Sequence, residues 1–115
     1  MDMILVVCGA GASSTFLASR MRALATQRGL GVTARAASNL DLSSRLADAR
    51  VLLVGPHLES SFGELSAEAA EHSVPAALLP STAFGPQGAA DALDQALAIL
   101  RATTEDVPTE RGSRA

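Results

Sequence analysis

The chain has 115 residues, of which 48% are hydrophobic and 3% aromatic, and a formal net charge of −3. That length suffices for one domain with one core, built here from Ala, Val, Leu and Ile. No clustered basic face speaks for nucleic acid, and no run approaches the roughly 20 apolar residues of a membrane span. The single cysteine excludes an internal disulfide framework, and no CxxC or Cys/His grouping marks a metal site. All nine basic residues are Arg, which reflects GC-rich coding rather than a need for guanidinium groups.

A free thiol fits a reducing compartment. The N-terminal apolar run is too short for a secretory leader, and no basic segment precedes it. A cytoplasmic protein without membrane insertion is therefore expected. No large exposed apolar patch is evident, so a monomer is expected.

Met3 to Val7 is a short apolar run with β-branched residues and reads as a fully buried strand. From Ser13 the spacing becomes helical: Leu17, Met21, Leu24 and Arg28 recur at helical intervals, with Phe16 beside them. Ser13 or Ser14 can cap this helix, and Gly29 stops it. Gly31 to Ala37 is a second, weaker strand. Ser38-Asn39-Leu40-Asp41 forms a turn rich in capping residues before a short helix carrying Leu42, Leu46 and Ala49. Arg50 to Val54 is the clearest strand and ends at Gly55-Pro56. Ser61-Phe62-Gly63-Glu64 matches a capping box, and Phe62, Leu65 and Ala69 give the next helix an apolar face. His72 falls in its last turn, where a positive charge is favoured. Pro75 to Leu79 is a fourth strand. Ser81 to Gly88 is a loop, and Ala90, Leu93, Ala96, Leu97 and Leu100 mark a final helix. The expected domain is residues 1–103, with 104–115 a disordered polar tail.

The order βαβαβαβα implies an α/β fold: a four-stranded parallel sheet, order 2-1-3-4, with helices on both faces, flavodoxin-like. Ligands bind such sheets at the carboxyl ends of the strands, beside the switch point. The loop after the first strand lies there, and it carries Cys8.

Cys8 has a bland reading, a small buried hydrophobe. Its position at the strand exit, before Gly9, points instead to the rim. There a thiol faces a helix N-terminus, ionises more easily and can carry a phosphoryl group. Gly9, Ala10, Gly11 and Ala12 are small enough for backbone N–H groups to approach a phosphate, although a tight turn needs the same residues. Ser13, Ser14 and Thr15 can donate hydroxyl hydrogen bonds to a phosphate or serve as caps. The loop is neither a Walker A nor a G-x-G-x-x-G motif. His57 follows a strand exit and is a secondary candidate, against the reading of a solvated surface residue. No cofactor and no metal ligand set is implied.

The loop resembles that of low-molecular-weight tyrosine phosphatases, which carry Cys-x5-Arg. Here Ser14 stands six residues after Cys8, so the guanidinium that grips the phosphoryl oxygens is missing, and so is an Asp-Pro general acid. A thiol-dependent phosphatase or arsenate reductase is the alternative enzyme reading.

The fuller resemblance is to the IIB component of the sugar phosphotransferase system (PTS), lactose/cellobiose (diacetylchitobiose) family. It rests on Ile4-Leu5-Val6-Val7-Cys8-Gly9-Ala10-Gly11 followed by Ser13-Ser14-Thr15, on Val51 to Pro56, and on Val74-Pro75-Ala76. It covers about residues 3 to 100. Two positions depart from the family pattern. His57 replaces the usual Gln after Gly-Pro, and Thr82-Ala83-Phe84-Gly85 lacks the usual acid and phenol. Phe84, like His57, is a secondary candidate. The resemblance implies a phosphotransferase in which Cys8 accepts a phosphoryl group from a phosphohistidine of IIA. Cys8 then passes it to a sugar, a β-disaccharide, held by the membrane permease IIC. A stand-alone regulatory domain of the same family is the other reading. The departures leave the transported sugar open.

Overall fold

The computed structural model describes residues 2–8, 11–38 and 41–106. Among these, strands and helices alternate as the sequence predicts: β1 (Asp2–Val7), α1 (Gly11–Gln27), β2 (Val32–Ala37), α2 (Leu42–Leu46), β3 (Val51–Val54), α3 (Phe62–Glu71), β4 (Ala76–Leu78) and α4 (Gly88–Asp106). Two 3-10 segments, Pro56–Ser61 and Ser81–Phe84, follow β3 and the end of β4.

The sheet is parallel throughout, in the order β2-β1-β3-β4. β1 pairs with β2 from Asp2↔Val32 to Val7↔Ala37, and with β3 from Ile4↔Val51 to Val7↔Val54. Strand alternation sorts side chains to the two faces. Ile4, Val6 and Cys8 join Val51 and Leu53 beneath α1 and α4, against Leu17, Met21 and Leu93. Leu5, Val7, Leu52 and Val54 point the other way, against Leu42 and Leu46 of α2 and Leu65 and Ala69 of α3. With both faces covered, Ile4, Leu5, Val6 and Val7 are fully buried, which is why β1 reads as an unbroken apolar run.

The two edge strands are blocked from the helix layer. In β2, Gly31 turns its carbonyl to Asp2 of β1, so by alternation that of Ala34 faces outward, and it accepts a hydrogen bond from Arg22 of α1 at 2.7 Å. In β4, the Leu78 carbonyl likewise faces away from β3 and accepts from the Gln95 side-chain amide of α4 at 3.2 Å. Each bond satisfies a group that an incoming strand would use.

Helix ends follow local chemistry. Gly29 has φ of 67°, and the N–H groups of Gly29 and Leu30 donate to the carbonyls of Thr26 and Ala25, a Schellman ending for α1. α3 ends the same way after its C-cap His72: Ser73 and Val74 donate to Ala70 and Ala69, but Ser73 rather than glycine takes the left-handed conformation, at φ 61°.

Several expectations need correction. α1 begins at Gly11, so Ser13 and Ser14 lie within its first turn and not at the cap. Ser61 does occupy the N-cap of α3, but its side chain makes no capping bond; the preceding 3-10 segment runs straight into the helix. Asp41 works across its turn instead of capping α2. It accepts from the Ser38 N–H at 2.8 Å and pairs with Arg45 at 2.7 Å, and the Arg45 bond, with the Ser38 N–H adding to it, holds its carboxyl at about 2. α4 continues to Asp106, past the expected boundary at residue 103; residues 107–115 of the expected tail lie outside the described residues.

Candidate functional site

Register sets the site. Val7 is paired with Val54, so the next residues, Cys8 and Gly55, stand side by side where β1 and β3 end. The Gly55 N–H donates to the Val7 carbonyl at 2.8 Å and holds the two exits together. The chain runs from β1 to β2 on one side of the sheet, then crosses back to β3 on the other. The Cys8–Gly55 pair therefore sits at the topological switch point.

α1 starts three residues after Cys8, so its N-terminal turn, with backbone N–H groups free of intrahelical partners, opens beside the strand exit. Gly9 and Ala10 lie outside the described residues, as do the side chains of Ala12, Ser13 and Ser14. Thr15 is exposed in the second turn, where the N–H belongs to the helical ladder.

Cys8 itself is more deeply placed than expected. It is 5% exposed and packs in the cluster that includes Leu17, Ala18, Ala83 and Ala89. Burial pushes its thiol up to about 11 from an ordinary 9.0, because a thiolate there would lose its hydration. The expectation of an easily ionised rim cysteine is thus corrected: in the free protein this thiol is protonated at neutral pH.

The 3-10 segment Ser81–Phe84 contributes Ala83 to the same core cluster. Ala83 is buried, and Gly88 packs so closely on it that a Cβ there would lie 1.6 Å from the Ala83 carbonyl oxygen. The start of α4 is thereby pressed onto this segment. The Phe84 side chain lies outside the described residues. His57 is exposed in the segment Pro56–Ser61, two residues beyond Gly55.

Helical spacing puts Phe16 beside the apolar positions of α1 and gives it no role. It is 62% exposed, with the Arg20 guanidinium 5.6 Å from the ring centroid. Together with Leu17, Arg20, Ala83, Gly85 and Ala89 it lines a shallow depression. Leu17, Ala83 and Ala89, at the floor of this depression, belong to the same core cluster as Cys8.

Among the described residues there is no group of His, Cys, Asp and Glu that could hold a metal, and no helix long and apolar enough to cross a membrane.

The family model for the PTS system lactose/cellobiose-specific IIB subunit matches residues 3–97. Two solved structures share the fold. One is the lactose-specific IIB component domain of the phosphoenolpyruvate:carbohydrate phosphotransferase system from Streptococcus pneumoniae, with TM-score 0.74 at 16% identity, covering 84% of this chain and 95% of that one. The other is the cellobiose-specific phosphotransferase IIB component protein from Borrelia burgdorferi, with TM-score 0.70 at 23% identity, covering 87% and 92%. No curated protein matches in sequence. The chain belongs to the lactose/cellobiose-specific IIB family, and membership implies phosphoryl transfer in a sugar phosphotransferase system.

Proposed function

We propose that this member of the IIB family is a cytoplasmic phosphoryl carrier in which Cys8 holds the group as S-phosphocysteine. The donor is a phosphohistidine of a IIA protein. The acceptor is a sugar, a β-disaccharide, held by the membrane component IIC. The observation that carries this reading is the placement of Cys8: a lone thiol at the switch point, three residues ahead of the helix N-terminus of α1.

In the first transfer the Cys8 sulfur attacks phosphorus, the S–P bond forms, and the P–N bond to imidazole breaks. The thiol proton ends on the departing imidazole, so charge and protons balance. A protonated thiol is therefore a workable resting state, because the leaving group supplies the base. Phosphoryl transfer asks mainly for alignment and for donors facing the equatorial oxygens. The free N–H groups at the start of α1 supply such donors.

The depression around Phe16 is the docking surface for the IIA partner in this reading. Its floor residues Leu17, Ala83 and Ala89 share a core cluster with Cys8, and its exposed ring and guanidinium are of the types that anchor protein interfaces.

The test is incubation with phosphoenolpyruvate, the general phosphotransferase proteins and lactose/cellobiose-type IIA proteins, added one at a time. One phosphoryl group per chain, dependent on IIA, is expected. No transfer from any of them would overturn the reading.

A further inference from the structure

Glycine can be required at a position for its backbone or for its lack of a side chain. At Gly55 the backbone is ordinary: φ −64° and ψ 152° is extended, open to any residue and favoured before Pro56. Space is what the position demands. A Cβ on Gly55 would lie 2.8 Å from the Cys8 sulfur, 3.2 Å from its Cβ and 3.4 Å from its Cα. Of these contacts the one to sulfur is the tightest, and it falls on the atom that reacts in the function proposed above.

We infer that Gly55 is a positioning residue: its missing side chain is the room into which the Cys8 sulfur sinks, and this sets where the thiol is presented to its phosphoryl donor. The inference rests on the reading of Cys8 as the phosphoryl acceptor for its functional consequence, and on geometry alone for the placement of the sulfur. With a methyl group at residue 55 the sulfur cannot keep its present position, and the thiol turns away from β3. It then becomes more exposed and loses the alignment that in-line transfer requires.

Placement of the sulfur is tested without any phosphoryl donor. In Gly55→Ala, alkylation of Cys8 by iodoacetamide is expected to accelerate by roughly tenfold at pH 8, with its pH midpoint moved down, because the thiol gains solvent. The urea midpoint is expected to fall by about 1 M in the parent background and by less than half as much in Cys8→Ala, where the sulfur is gone. Should Gly55→Ala fail to fold while Cys8→Ala/Gly55→Ala folds, the sulfur is the obstacle and the inference stands. An unchanged alkylation rate and pH midpoint, an equal fall in both backgrounds, or failure of both variants to fold would overturn it. The functional consequence is read separately: a folded Gly55→Ala with a displaced thiol should accept the phosphoryl group from IIA at least tenfold more slowly, and an undiminished rate would overturn the positioning role. If the parent accepts no phosphoryl group from any IIA, the carrier reading fails, while the placement of the sulfur is still decided by the alkylation and unfolding data.

Discussion

The sulfur of Cys8 occupies the space that a side chain on Gly55 would need, 2.8 Å from the position of its Cβ. The two residues end adjacent parallel strands in register, so this contact follows directly from the pairing of Val7 with Val54. It leaves the thiol in the packed layer under α1 and α4, and its proton on.

The raised thiol gives a pH signature. The folded-state value, about 11, lies above the unfolded 9.0, so the folded protein binds the extra proton between them. This contribution is complete below pH 9 and is lost as pH rises toward 11, a total of about 3 kcal/mol. The window is clear of other side chains, because the chain contains no Tyr and all its basic residues other than His are Arg. Urea unfolding from pH 8 to 11 should show this decline in the parent, and Cys8→Ala should lack it. Parallel curves would mean that the thiol is not dehydrated in the fold.

Phe16 is predicted to matter for the partner and not for the fold. At 62% exposure, its replacement by Ala should move stability by no more than about 0.5 kcal/mol. Phosphoryl acceptance at low IIA concentration should slow by roughly tenfold, through a raised apparent KM for IIA. Stopped transfer time courses over a range of IIA concentrations would measure it, and an unchanged rate would remove Phe16 from the docking surface.

Ser73 pays a conformational penalty at φ 61°, in the place where α1 uses Gly29. Ser73→Gly should stabilise the protein by about 0.5–1 kcal/mol, since glycine enters this region without the Cβ clash. Thermal unfolding of the two proteins decides it; a lower midpoint would contradict the Schellman ending described for α3.

Arg22 and Gln95 guard the two edges of the sheet through the carbonyls of Ala34 and Leu78. The double variant Arg22→Ala/Gln95→Ala frees both carbonyls, and self-association at high protein concentration is expected to increase. Sedimentation velocity would show it as a shift to dimers and larger species. A sedimentation profile identical to that of the parent would count against the edge-blocking role.

Much of the fold was legible because each signal was local. The unbroken run Ile4 to Val7, the stop at Gly29 and the strand Val51 to Val54 followed by Gly55-Pro56 each encode one element, and alternation then implies the parallel sheet. The cap at Ser61 was misread because a capping box presumes an irregular chain before the helix, whereas Pro56 starts a 3-10 segment that delivers the chain already coiled. The placement of Cys8 at a strand exit was legible too. Its depth was not, since burial there depends on tertiary packing within the layer under α1 and α4, and on the empty side of Gly55. The exposure of Phe16 was hidden for the same reason: helical spacing alone does not say which flank a neighbouring helix covers.

The central claim is that Cys8 carries the phosphoryl group, and the most direct measurement is intact-mass analysis of parent and Cys8→Ser after incubation with phosphorylated IIA, with peptide mapping of the modified residue. The account predicts one phosphoryl group on the parent, mapped to Cys8, and none on Cys8→Ser. A group retained by Cys8→Ser, at His57 or any other residue, would contradict it.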